Sequence, residues 1–231
     1  MIEDKRIVVI IPAYNEEESL PLVIEDIPVF VDEIVVTNNG STDNTVEVAN
    51  KAGATVLTEI RKGYGFACLK AMDYIRDKNY DIVVFLDGDY SDYPEEMDCI
   101  VEPIIKNDYD FVIGSRMNSK RDRGAMLPQA IFGNWLASSL INFFWKYKFT
   151  DLGPFRAIKY TSLISLNMQD KNFGWTIEMQ IKAAKQKLKT IEIPVRYRKR
   201  IGQSKVTGTI QGTVKASAKI LYLIFVSLFK D

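Results

Sequence analysis

Short apolar runs alternate with polar, amphipathic stretches through the first half of the chain. Residues 6–11, 33–37, 54–58, 82–86 and 110–114 are rich in Val, Ile and Phe, the pattern of buried strands. Between them lie stretches with helical spacing. Pro12 ends the first strand, and Glu16 to about Ile27 reads as a helix with acidic residues at its start. The turn Asn38-Asn39-Gly40-Ser41 follows the second strand, with Thr42 or Asp43 as cap of a helix to Ala52. Gly63-Tyr64-Gly65 opens a helix from Phe66 to Lys78, and Pro94 starts another that runs to Lys106. Regular alternation of strand and helix predicts an α/β fold, a mostly parallel sheet with helices on both faces.

The pattern changes after Arg116. Residues 117–128 are polar and basic and read as a mobile loop. Residues 129–147 are apolar and aromatic at helical spacing, through Ile131, Trp135, Leu136, Leu140, Phe143 and Phe144. They suit core or interface packing, an acceptor groove or a membrane-facing helix. A tight turn at 151–156 feeds a strand, residues 174–187 read as a helix containing Glu178, and 189–197 as an edge strand leading to a basic loop, Arg198 to Lys205. The end, 209–229, closes on a run from Ile220 to Phe229, about half the length a bilayer crossing needs. Flanked by Lys215, Lys219 and Lys230, this helix can lie in a membrane interface, pack on the domain or pack on a second copy as a homodimer. No internal repeat or low-complexity linker separates the parts, so 1–208 is read as one catalytic domain and 209–231 as an apolar terminal helix.

Composition narrows the chemistry. With 231 residues, 47% of them hydrophobic, the chain can bury one full α/β core. Cys68 and Cys99 match no metal-site spacing, which fits a reducing cytosol, and Glu3, Asp4, Lys5 and Arg6 before the first strand argue against a signal peptide. Histidine is absent, so the usual zinc ligand and near-neutral base are missing. The zero net charge hides an asymmetry: residues 1–114 hold 9 Lys/Arg against 24 Asp/Glu, net −15, and residues 115–231 hold 21 against 6, net +15. The basic half suits phosphate groups or an anionic membrane. It lacks the aromatic interleaving of an RNA-binding motif, so nucleic acid is not expected as a partner.

The candidate chemistry sits at strand ends. Asp87-Gly88-Asp89 closes the run 82–86, where the ligand crevice of an open α/β sheet lies. Two carboxylates around a glycine suit one hard cation, Mg²⁺ or Mn²⁺, completed by water and substrate phosphate. The plainer alternative is a strand-end turn with two solvated aspartates. Pro12-Ala13-Tyr14-Asn15-Glu16 ends the first strand with an aromatic and a carboxylate that can hold a nucleobase and ribose. Gly63-Tyr64-Gly65 lacks the third glycine of a dinucleotide fingerprint and does not follow the first strand, and no P-loop is present.

In order along residues 6–210, IPAYNEE, NNGSTDNT, RKGYGFACLKAM, VVFLDGDYSDYPEEM, DFVIGSR, DLGPFRAI, WTIEMQIKAA and IPVRYRKRIGQSKV resemble the motifs of family-2 inverting glycosyltransferases, most of all polyprenyl- and dolichyl-phosphate hexose synthases. The resemblance implies a GT-A type nucleotide-sugar-binding fold, with 1–114 as the nucleotide-sugar half and 115–208 as the acceptor half. Pro12, Tyr14 and Glu16 match nucleoside-holding positions, and Asn39 matches an aspartate that usually bonds the base. Lys62 is grouped with these nucleotide-sugar contacts. Asp87 and Asp89 match the metal-binding DXD pair, and Gly88 the residue that lets the ribose approach. Arg116 and Arg123 lie where relatives hold an acceptor phosphate, and Glu178 matches an acidic residue near the sugar. Arg200, Ser204 and Lys205 match a basic loop over the diphosphate.

Expected, then, is a metal-dependent inverting transfer of a hexose from a nucleotide sugar, with Asp89, Glu178 and Arg200 as catalytic residues. A polyprenyl phosphate on the cytoplasmic membrane face arrives already ionised and needs no base; a sugar hydroxyl acceptor would need one, and Glu178 is the candidate. Asn39 offers no charged carboxylate to guanine, which favours UDP over GDP. Leu127-Pro128-Gln129-Ala130 stands where phosphate-binding Ser or Arg is often found. A sugar-1-phosphate nucleotidyltransferase would want a glycine-rich basic loop where IPAYNEE stands. A non-catalytic binding module is disfavoured by intact Asp87, Asp89, Glu178 and Arg200.

Overall fold

Seven strands form one sheet in the order β3-β2-β1-β4-β6-β5-β7. The computed structural model describes residues 2–202 and 210–229. The strands are β1 Ile7–Ala13, β2 Glu33–Asn38, β3 Thr55–Thr58, β4 Ile82–Phe85, β5 Phe111–Ser115, β6 Arg156–Lys159 and β7 Thr190–Pro194. The helices are α1 Leu20–Glu25, α2 Thr45–Lys51, α3 Tyr64–Ile75, α4 Met97–Asn107 after a 3₁₀ turn at Pro94–Glu96, α5 Pro128–Trp145, α6 Tyr160–Ser165, α7 Trp175–Lys185 and α8 Ile210–Ser227. The five expected strands and the edge strand near 190 are present, and β7 is at the edge.

Period-two alternation sorts the strand side chains into two cores. Val8, Ile10, Val83, Phe85 and Phe111 face α3, α5 and α7, where the Phe85 and Trp175 rings meet edge to face at 5.9 Å. Ile7, Val9, Ile11, Ile82 and Val84 face α1, α2 and α4. Both faces of the central strands are buried, which is why those strands read as unbroken apolar runs.

The sequence reading missed how β6 is placed. It runs antiparallel between β4 and β5, pairing Val84 with Ala157 and Val112 with Ala157. A strand of four residues, one of them Arg156, carries little periodic signal. Arg156 is fully buried: its Nε donates to Gly153 O at 2.9 Å and its Nη1 to Thr176 O at 3.0 Å, and burial lowers its pKa to about 10. β6 and β7 bring the second half of the chain into the same sheet as the first. The expected start of α1 also moves: Glu16 to Glu18 precede the helix, and no acidic residue lies in its first turn. At α2, Asp43 Oδ1 accepts from Thr45 N at 3.0 Å.

α8 packs on α5 and α7, burying Ile224 and Ala216. Of its three possible settings, the domain takes one side; Val214 and Tyr222 remain exposed, and Phe225 is half-exposed. On α5, Phe144 stacks edge to face with Phe225 at 6.2 Å, while Phe132, Trp135 and Phe143 are exposed. Among the described residues no helix is long and apolar enough to cross a membrane.

Candidate active site

Parallel β1, β2 and β4 end on one rim, and that rim carries Pro12, Tyr14, Asn39 and Asp87. They line a cavity of about 410 Å³ together with Glu16, Lys62, Gly63, Tyr64, Gly88, Asp89, Asn172, Phe173 and Arg200. Lys62 Nζ lies 5.4 Å from the Tyr14 ring centre. Ser19 Oγ ties the buried Glu16 carboxylate (3.0 Å) to Gly88 O (2.7 Å). Asn39 Nδ2 donates to Glu59 O (3.1 Å) and Arg61 O (2.8 Å), and its Oδ1 accepts from Gly63 N at 2.7 Å. The two carbonyls fix the amide orientation, with the oxygen's second lone pair left for a ligand.

Asp89 Oδ1 accepts from Ser91 N at 2.9 Å, and Oδ2 lies 2.5 Å from Arg200 Nη2. Asp87 Oδ1 is buried without a hydrogen-bond partner, and so is Arg200 Nε. Burial, then the charge of Asp89, push Asp87 up to about 6 against the pull of Arg200. An orphaned acceptor beside an orphaned donor fits a cation on the aspartates and an anion on the arginine. Among the described residues no cluster of three His, Cys, Asp or Glu could hold a metal. The aspartate pair would therefore supply the protein's share, leaving the other positions to substrate oxygens and water, as Mg²⁺ prefers.

A second cavity, about 580 Å³, opens from the same pair. It shares Tyr64, Asp87, Asp89, Asn172, Phe173 and Arg200 with the first. Arg116, Lys199 and Arg200 give it positive charge; Met126, Leu127, Leu152 and Pro154 from loops and Ala130, Trp175, Ala216 and Ile220 from α5, α7 and α8 give it apolar walls. Asp87 and Asp89 are the carboxylates among its lining residues.

The structure places the remaining sequence candidates as follows. Arg116 lines the second cavity, but its Nε and Nη2 hold the buried Asp151 carboxylate at 2.9 and 2.8 Å. Arg123 is exposed and lines neither cavity, although its neighbour Gly124 does. Glu178, the candidate base, is engaged within its own loop and helix. Its oxygens accept from Gln169 N (3.1 Å) and Asp170 N (2.7 Å) and pair with Lys182 (2.8 Å), and it lines neither cavity. It fastens the loop before α7. Gly88 lines the first cavity, where an added Cβ would meet Ile11, Leu20 and Glu16 at ordinary contact distances. Ser204 and Lys205 lie outside the described residues.

In the basic run, Arg196 pairs with Glu95 and Glu96, and Arg198 stacks on Tyr90 and Tyr93 and bonds Tyr90 O at 2.7 Å. Lys199 and Arg200 are left to the cavities. Sequence reasoning missed Asn172 and Phe173, which no motif signals, and Asp151, whose partnership with Arg116 spans 35 residues. It also missed Asp92, buried with both oxygens unpartnered and pushed well above the usual carboxylate range by burial and by Asp87.

The model of the family described as Glycosyl transferase family 2 matches residues 8–165. An uncharacterized glycosyltransferase of Mycobacterium tuberculosis is 32% identical over 212 residues, 91% of this chain and 94% of that protein. An undecaprenyl-phosphate mannosyltransferase of Micrococcus luteus is 28% identical over 220 residues, 90% of each. Among solved structures, glucosyl-3-phosphoglycerate synthase from Mycobacterium tuberculosis, in complex with Mn²⁺, UDP and glucosyl-3-phosphoglycerate, superposes with a TM-score of 0.78 at 22% identity, over 97% of this chain and 80% of that one. That last likeness is one of fold.

Proposed function

We propose that this chain, which belongs to glycosyl transferase family 2 and has the GT-A fold, moves a hexose from a nucleotide sugar, a UDP-sugar, to a polyprenyl phosphate at a membrane surface. One observation carries this reading: two cavities meet on Asp87, Asp89 and Arg200, and the second adds the cations Arg116 and Lys199 and a largely apolar wall. A phosphate head on an apolar chain has that chemistry. The Micrococcus relative is named for undecaprenyl phosphate, and the mycobacterial synthase was crystallised with UDP and Mn²⁺.

In this reading Pro12, Tyr14, Glu16 and Lys62 surround the nucleoside, and Asn39 Oδ1 accepts from uracil N3–H. Asp87 and Asp89 would hold Mg²⁺ or Mn²⁺, which supplies positive charge for the leaving diphosphate. Arg200 donates to that diphosphate through Nε–H, and Lys199 and Arg116 hold the acceptor phosphate. An acceptor phosphate oxygen attacks the anomeric carbon as its bond to the diphosphate oxygen breaks, a single displacement that inverts the centre. Lipid phosphate is ionised at neutral pH and needs no base. This agrees with the second cavity, whose only carboxylates among the described residues are the aspartate pair, and with Glu178 being engaged elsewhere.

Phe132, Trp135 and Phe143 on α5 and Tyr222 and Phe225 on α8 are exposed on two helices that pack together and contribute other residues to that cavity, and they would rest in the interface of the inner membrane leaflet. The test is transfer of labelled sugar from UDP- and GDP-hexoses, with Mn²⁺, to vesicles carrying polyprenyl phosphate. Label in the lipid phase from a UDP-sugar, with vesicle co-sedimentation weakened by Trp135→Ser, is expected. Preference for GDP-sugars, or transfer only to a soluble hydroxyl acceptor, would overturn the assignment.

A further inference from the structure

The loop 169–174 ahead of α7 belongs to both cavities, through Asn172 and Phe173. Its centre is Asp170, whose side chain is 2% exposed. One oxygen, Oδ1, accepts from the backbone N–H of Asn172 (2.7 Å) and of Gly174 (2.9 Å); the other, Oδ2, pairs with Lys219 Nζ of α8 at 2.8 Å. The loop also presses on the start of α3: Phe66 N donates to Lys171 O at 3.1 Å, and a Cβ on Gly65 would stand 2.0 Å from Asp170 O. Any shift of the loop must move along the Gly63–Tyr64 wall of the first cavity.

We propose that Lys219 is a positioning residue for the donor site: by holding Asp170 it fixes the loop that presents Asn172 and Phe173, so the helix beside the acceptor cavity sets affinity for the nucleotide. This rests on the reading of the first cavity as the nucleotide site. Without Lys219 a buried carboxylate keeps only neutral N–H donors, and the loop gains by opening toward water. Because the loop's other attachments stay intact, the loss falls on the cavity rather than on the fold.

The test is calorimetry of the full chain with UDP and Mn²⁺, alongside donor kinetics. Lys219→Met is expected to weaken UDP binding and raise the donor KM about five- to tenfold, with kcat and the melting temperature nearly unchanged. Lys219→Arg restores binding, and Lys215→Met, an exposed lysine of the same helix, leaves it unaltered. Lys219→Gln gives the same readout should the methionine variant not fold. Wild-type protein that binds neither UDP nor GDP overturns the proposed function itself. Wild-type binding with Lys219→Met unaltered, or a defect that Lys219→Arg fails to restore, overturns the role of Lys219 alone.

Discussion

Arg200 Nη2 sits 2.5 Å from Asp89 Oδ2 and joins the basic segment after β7 to the acidic turn after β4. The contact brings together residues 111 positions apart and closes the rim of both cavities. Asp89→Asn removes the negative charge that Arg200 and a cation share. It should lower kcat by about 10²–10³-fold and abolish the Mn²⁺ dependence of nucleotide binding. Transfer assays with and without chelator decide; turnover within a few-fold of wild type would exclude Asp89 from the chemistry.

Glu178→Gln separates a fastening role from a catalytic one. The variant loses the ion pair with Lys182 and weakens the bonds to Gln169 N and Asp170 N. A cost of about 1–2 kcal/mol is expected, read as a fall of about 2–8 °C in Tm. The kcat should stay within about threefold, against the 10²-fold or greater loss a general base would show. A drop of that size with unaltered Tm would return Glu178 to the reaction.

Gly65 and Gly88 make a matched pair. A Cβ at Gly65 would stand 2.0 Å from Asp170 O, a backbone atom, while one at Gly88 finds its nearest neighbour at 3.4 Å. Gly65→Ala should destabilise by about 3 kcal/mol and weaken UDP binding. Gly88→Ala should melt within about 2 °C of wild type. Thermal denaturation of both variants is the check, and equal melting temperatures would refute the close approach at Gly65.

At the far end of the sheet, burial raises the Glu33 pKa, but hydrogen bonds from Tyr80, Tyr74, Thr55 and Lys78 outweigh it and hold the carboxyl down at about 2, against an ordinary 4.5. The folded value lies below the unfolded one. The stabilisation is therefore complete above 4.5 and is lost as pH falls from there toward 2. Allowing for solvent screening, Glu33→Gln should cost on the order of 1–2 kcal/mol at pH 7. The gap between variant and wild type should close below pH 3. Denaturant titrations across that range would show a constant gap if Glu33 were an ordinary surface carboxylate.

The strands that build the rim were legible because each is buried on both faces, and the Asp87–Asp89 pair because it ends such a run. Tyr14 and Asn39 followed from turns that begin at the same edge. A strand after the turn at 151–156 was legible, but its place between β4 and β5 was not, since four residues beginning on an arginine give no period to read. Nor was the true employment of Glu178: an acidic residue in a helix's first turn has one appearance in sequence, whether it faces a ligand or fastens its own loop. Arg196, Arg198 and Arg200 look equivalent as letters, and only the tertiary neighbours Glu95, Glu96, Tyr90 and Asp89 tell them apart.

The antiparallel strand wedged between β4 and β5 sets an order on assembly. β1 through β4 can zip together as they leave the ribosome, but β5 finds no partner until residue 159 has emerged. A nascent or truncated chain ending in the stretch 116–155 thus carries a ragged, sticky sheet margin, with Phe111, Val112 and Ile113 uncovered.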